Sequence, residues 1–232
     1  MLHNLLTVRQ QIAAAAESAG RNTGDIQLIA VSKTRTLAEV QQLYAYGQRV
    51  FAENQVQDAL SKIPGLGHPQ ADWHFIGHLQ SNKVKYIPGN FQWLHTLDSL
   101  KLADKLNTAM QQAGESEPLN CLLQVNVSAE KSKAGVALSS VGEMLSQLLE
   151  QSYPLLKYRG LMTIGVRADT LQTRDAFAQL RDLRDSCRER FGLAEFDQLS
   201  MGMSDDFKIA IEEGSTMVRI GTRIFGQRKK DN

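Results

Sequence analysis

The sequence predicts a single (β/α)8 TIM-type barrel with an extra N-terminal helix, occupying residues 1–232 as one domain. Three observations carry that expectation. Eight short apolar runs alternate with amphipathic segments, the pattern of a parallel sheet with helical crossovers. No linker, internal repeat or low-complexity block divides the chain. Its 232 residues also suit one barrel, typically about 250 residues long.

The elements follow in order. Leu2 to Ser18 reads as a helix with Leu5, Val8, Ile12 and Ala15 on one face. The strand candidates are Ile26–Val31, Val50–Phe51, Trp73–Ile76, Trp93–Leu97, Cys121–Val127, Tyr158–Thr163, Gln198–Met201 and Met217–Ile220. Thr36 with Glu39, and Ser140 with Glu143, have capping-box spacing and open helices. Leu102, Leu106, Ala109 and Ala113 form one helical stripe; Phe177, Leu180, Leu183 and Cys187 form another. Shorter helices are expected around Asp58 and Ser81.

Composition narrows the function. A net charge of +1 provides no global field for nucleic acid or an anionic membrane, and Arg228-Lys229-Lys230 reads as a solvated tail. Two cysteines, Cys121 and Cys187, give no disulfide framework and are expected to be buried thiols. The N-terminus lacks the basic and apolar regions of a signal peptide. No apolar run approaches a membrane span. A cytoplasmic protein without nucleic-acid or membrane partners is expected.

Lys33 is the most informative residue. It ends the first strand, where partial desolvation lowers an amine's pKa and lets it attack an aldehyde. Alone, it reads more simply as a lysine capping the strand and reaching for water. The other strand ends reverse that balance. Glu53 and Asn54 close the second strand. The seventh runs into Met201-Gly202-Met203-Ser204, with Ser204 as the expected N-cap of a helix over Asp205–Glu213. The eighth passes Arg219 and reaches Gly221-Thr222. These two ends make a phosphate cradle of neutral donors, expected on the opposite side of the mouth from Lys33. A phosphorylated aldehyde with a polar aromatic ring fits such a site, and pyridoxal 5'-phosphate has that shape.

The motifs AVSKTRT, FAENQVQD, HFIGHLQSNK, GLMTI and LSMGMSDDFKIAIEEGSTMVRIGTRIFG resemble the pyridoxal phosphate homeostasis protein family. That family is similar to the barrel domain of alanine racemase without its second domain. The resemblance covers most of the chain, in order. It implies a Schiff-base lysine at Lys33, a ring-side contact at Asn54 and a ring-nitrogen partner at Arg219. It further implies phosphate contacts at Met203, Ser204, Gly221 and Thr222. Ala52 and His78 depart from the family's usual glycine and proline, which puts local loop shape in question.

Other residues invite weaker readings. His74 and His78 lie on one strand, about 13 Å apart if extended, too far to share a metal, so no metal site is expected. His95 reads as an inward, satisfied histidine. Glu212-Glu213 and Asp205-Asp206 read as solvated pairs, and Met201 and Met203 as packing residues. Arg223 and Lys208 either steer an anion or decorate the surface. A racemase needs an acid/base on each face of its substrate, and the sequence offers Lys33 without an evident second. An aldolase-like enzyme would need a proton relay, for which Glu53 is the candidate. The favoured expectation is therefore a non-catalytic, monomeric carrier of pyridoxal phosphate in vitamin B6 and amino-acid homeostasis. Apo-enzymes that use the cofactor are its candidate recipients.

Overall fold

The computed structural model describes residues 1–128, 134–165 and 169–227; the Arg228-Lys229-Lys230 cluster lies outside them. Eight parallel strands close into a barrel: β1 (Gln27–Val31), β2 (Val50–Glu53), β3 (Asp72–Phe75), β4 (Trp93–Leu97), β5 (Leu119–Asn126), β7 (Leu156–Met162), β8 (Gln198–Ser200) and β9 (Met217–Ile220). The strand order runs β4-β3-β2-β1-β9-β8-β7-β5, and a β4–β5 pairing closes the ring. A two-residue strand, β6 (Val136–Ala137), adds to β5 beside the barrel. The predicted barrel is therefore the observed one.

Period-two alternation sorts each strand's side chains. Ile29, Val31, Ala52, Leu122, Met162 and Met217 point inward and form one apolar cluster. Ala30, Phe51, Trp73, Phe75 and Leu94 face the helix layer in a larger one. Both faces are covered, so the strands read as continuous apolar runs rather than alternating ones. The helices are α1 (Leu2–Ser18), α2 (Leu37–Ala45), α3 (Val56–Leu66), α4 (Leu100–Gln112), α5 (Val141–Gln151), α6 (Thr170–Phe191), α7 (Phe207–Glu212) and α8 (Thr222–Phe225). Helix α1 buries Leu5, Val8, Ile12 and Ala15, as its periodicity requires, and packs against α7 and α8. Each fully buried side chain such as Phe177 or Phe207 contributes about 1.5–3 kcal/mol.

Several local expectations change. Thr36 and Glu39 form the reciprocal capping box, but Ser140 makes no side-chain cap because a 3-10 turn, Leu138–Ser140, leads directly into α5. The β3–β4 crossover is a 3-10 segment, Ser81–Tyr86, rather than an α-helix. The α4 stripe is rotated onto Leu102, Ala103, Leu106 and Met110, leaving Ala113 exposed beyond the helix. Both cysteines are buried thiols. Among the described residues, no helix is long and apolar enough to cross a membrane.

Candidate functional site

Strand β1 stops at Val31, and the Ser32 amide adds one more bond to the Ala52 carbonyl at 3.0 Å. Lys33 follows, half-buried at the C-terminal mouth. The chain then turns sharply. Thr34 adopts φ 63°, a left-handed conformation that strains a β-branched residue, and the Arg35 amide returns to the Ser32 carbonyl at 3.0 Å. The Arg35 guanidinium donates to the carbonyls of Phe225, at 3.4 Å, and of Gly226. The lysine loop is thereby tied to the end of α8.

Asn54 follows β2, half-buried. Its backbone is crossed closely by Gly77, where an added Cβ would lie 2.0 Å from the Asn54 carbonyl oxygen. His78, next to that glycine, is exposed, whereas Ala52 is fully buried inside the barrel. After β8, Gly202 holds φ 94° and a Cβ there would meet Ala210 Cβ at 2.6 Å and Phe207 Cα at 3.0 Å. No other residue fits that turn. The Met203 amide donates to Asp206 Oδ1 at 2.6 Å, and Met203 itself is 37% exposed. Ser204 lies in a turn before Asp206, the actual N-cap of α7; the helix is shorter than expected because this turn precedes it. After β9, Gly221 approaches Val31 so closely that a Cβ would sit 3.2 Å from the Val31 carbonyl oxygen, and Thr222 opens α8. The first turn of a helix leaves its amides without intrahelical acceptors.

These residues share one arc of the rim. Strands β2, β1, β9 and β8 are successive neighbours, so Lys33 adjoins the Gly221-Thr222 end instead of facing it across the mouth. The expected opposite placement was mistaken on the barrel's own terms, because closing it places the first strand beside the last. Arg219 lies inside the barrel below the cradle, 5% exposed. It donates to Ser200 Oγ at 2.6 Å and to the Thr163 carbonyl at 2.8 Å. Burial lowers its pKa to about 10 against the pull of Asp206, so the guanidinium stays charged at neutral pH.

The outer face of the same wall carries a second polar cluster. Glu53 points away from the mouth into the layer beneath α3, where its Oε1 accepts from Ser32 Oγ at 2.6 Å and Lys62 Nζ at 2.7 Å. Lys62 also donates to the Ser32 carbonyl at 2.8 Å. Glu53 therefore cannot serve Lys33 as a proton relay, because strand alternation sends neighbouring side chains to opposite faces. None of the five tyrosines follows the C-terminal end of a strand. Tyr44 and Tyr46 lie on α2 and at its end, Tyr86 on the 3-10 segment, Tyr153 before β7 and Tyr158 in its first half. The acidic pairs are not merely solvated. Glu213 accepts from Arg174 and Arg181, each at 2.6 Å, pinning α6 to α7. Arg223 lies over the Phe207 ring at 5.6 Å, and Lys208 is exposed.

Sequence reasoning missed Ser200, Thr163 and Lys62. Ser200 is an isolated small polar residue at an inward position of an apolar strand, and Lys62 interrupts the buried face of α3 between Ala59 and Leu66. Both signals are visible in the periodicity. His95, by contrast, is fully buried and inward, as expected.

A primary amine, a glycine-shaped cradle that a Cβ would fill, and a buried cation within one arc fit an elongated anion bearing an aldehyde and a ring acceptor. Comparisons with known proteins agree with that chemistry. Residues 4–229 match the family model "Alanine racemase, N-terminal domain". The chain is 42% identical over 228 residues to the pyridoxal phosphate homeostasis protein of Pasteurella multocida, covering 97% of this chain and 96% of that one. PipY of Synechococcus elongatus without PLP superposes with a TM-score of 0.86 at 34% identity, covering 97% of this chain and 100% of PipY. Its PLP-bound form gives 0.80 at 35% identity, covering 93% and 100%. The chain belongs to the pyridoxal phosphate homeostasis protein family, built on the alanine racemase N-terminal barrel.

Proposed function

We propose that this protein binds pyridoxal 5'-phosphate at the C-terminal mouth and holds it reversibly through Lys33, without catalysing turnover of an amino acid. The observation that carries this reading is the gathering of Lys33, Asn54, Met203, Ser204, Arg219, Gly221 and Thr222 at four adjacent strands. The Lys33 amine would condense with the aldehyde of bound cofactor and release one water, and hydrolysis would return both partners. The turns after β8 and β9 would receive the phosphate through neutral donors, with the Met203 amide giving up its bond to Asp206, which favours exchange over permanent retention. Asn54 would hold the side of the ring, and the Arg219 guanidinium would donate to its nitrogen. A guanidinium there keeps that nitrogen unprotonated and weakens the ring as an electron sink.

The placement of all five tyrosines away from the mouth supports a carrier over a racemase, as does the naming of the relatives for homeostasis rather than for a reaction. Passage of the cofactor to apo-enzymes that use it, a monomeric state and a role in vitamin B6 and amino-acid homeostasis belong to this reading. It is tested by adding PLP to wild type and to Lys33→Ala and recording visible absorbance, then assaying amino acids for racemisation. A visible band in wild type alone, with no turnover, is expected. Lys33-dependent racemisation, or a band unaffected by Lys33→Ala, overturns it.

A further inference from the structure

Barrel interiors are ordinarily packed with branched apolar residues. Here one sector is polar from the mouth to the opposite face. Arg219 Nη1 donates to Ser200 Oγ at 2.6 Å, Ser200 Oγ lies 2.8 Å from His95 Nδ1, and His95 Nε2 lies 2.8 Å from His74 Nδ1. His74 Nε2 then lies 3.2 Å from Asp72 Oδ2. That last contact is a close approach rather than an aligned hydrogen bond, since His74 Nε2 finds no aligned partner. Ser200, His95 and His74 are completely buried, whereas the Asp72 side chain is 31% exposed at the N-terminal start of β3. A run of hydrogen bonds from Arg219 to His74, completed by the close approach of Asp72, thus leads from the floor of the mouth to solvent on the far side.

The two ends select one direction. Arginine is a donor only, so Ser200 accepts from Arg219 and has its single hydrogen to give His95 Nδ1. Neutral His95 then carries its proton on Nε2 and donates it to His74 Nδ1. His74 in turn carries its proton on Nε2, facing the Asp72 carboxylate. With His74 neutral, the reverse arrangement would set a histidine lone pair against that carboxylate. Burial, followed by His74 and Arg219, holds His95 well below the ordinary histidine range, which keeps it neutral. The charged groups around the chain are Asp72 on β3, Arg219 on β9, Asp206 before α7, and Arg159 on β7, which lies over Trp93 at 5.7 Å while Trp93 stacks on His74.

We propose that Ser200, His95 and His74 are positioning residues for Arg219, forming a one-directional relay that couples the ligand at the mouth to Asp72 on the opposite face. Each group keeps its hydrogens; what travels is orientation and polarisation. The coupling rests on the reading above, in which Arg219 faces the ring nitrogen of bound PLP.

The test is a double-mutant cycle on the visible band of the PLP-loaded protein, using Asp72→Asn and Ser200→Ala. Asp72→Asn removes an anion that favours the protonated chromophore, so the band's pH midpoint should move down by about half a pH unit. In the Ser200→Ala background that shift should vanish. An equal shift in both backgrounds indicates a field through space and overturns the relay, as does no shift in either. Should wild type give no visible band with PLP, the binding reading fails, and the ligand-free protein still decides the relay. Nitrogen NMR of labelled histidine then reads the tautomers directly. Protons on Nε2 alone at both His74 and His95 are expected; a proton on Nδ1 of either overturns the proposal.

Discussion

Two buried polar clusters flank the same barrel wall, and they are built differently. Outside it, Ser32, Glu53 and Lys62 form a ring through one carboxylate oxygen: Glu53 Oε1 meets an ammonium at 2.7 Å, and the ammonium returns to the backbone beside Lys33, while Glu53 Oε2 finds no partner among the described residues. Inside it, among the described residues, the Arg219 guanidinium donates to a hydroxyl and a carbonyl, feels the pull of Asp206, and heads a chain of two histidines toward Asp72. A closed ion pair anchors backbone; an open chain leaves a charge available to a ligand. The contrast teaches why one wall can hold a lysine loop rigidly while keeping a cation responsive beneath it.

The largest effect should come from breaking the closed cluster. Lys62→Ala leaves Glu53 buried without its counter-ion and should cost about 3–5 kcal/mol in denaturant unfolding. A loss below about 1 kcal/mol, the scale of a surface pair, would mean the cluster does not anchor the loop. The same carboxyl sharpens the comparison through pH. Burial raises the Glu53 pKa, opposed by Lys62 and Ser32. The folded state therefore binds that proton more tightly than the unfolded state. Its contribution is fully present below the unfolded value of about 4.3 and is lost as pH rises through the folded value. The stability of wild type minus that of Glu53→Gln should thus fall with rising pH across that window; a difference that rises contradicts the assignment.

Opening the inner chain should cost less. Ser200→Ala removes one hydroxyl between Arg219 and His95 and should destabilise by about 1–3 kcal/mol, measured by the same unfolding. A loss as large as that of Lys62→Ala would erase the distinction drawn here. The smallest effect is expected outside both clusters. Thr36→Ala removes the α2 cap just beyond the lysine loop and should cost about 1 kcal/mol, read as a lowered unfolding midpoint.

Much of this architecture was legible before any coordinates. Strand runs such as IQLIAV and MVRI announce themselves because both faces are buried, and the Thr36–Glu39 box because capping is local. The strand ends bearing Lys33, Asn54, Ser204 and Gly221 followed from the barrel's geometry. What stayed hidden depends on facing and on contacts across the ring. The adjacency of Lys33 to Gly221 was implied by closure, which pairs β1 with β9, and the expected opposite placement overlooked it. Glu53 reads as a neighbour of Lys33, yet alternation directs it to the opposite face. Ser200 and His95 are more than a hundred positions apart and meet only inside the ring. The Ser140 box failed because the preceding 3-10 turn displaced its geometry.

The central claim is that one lysine holds the cofactor covalently. Treating the PLP-mixed protein with borohydride and mapping the peptides by mass spectrometry tests it most directly, because reduction fixes the reversible bond in place. The account predicts one phosphopyridoxyl group, on the peptide containing Lys33, and its loss in Lys33→Ala. A label on another lysine, or none at all, would contradict it.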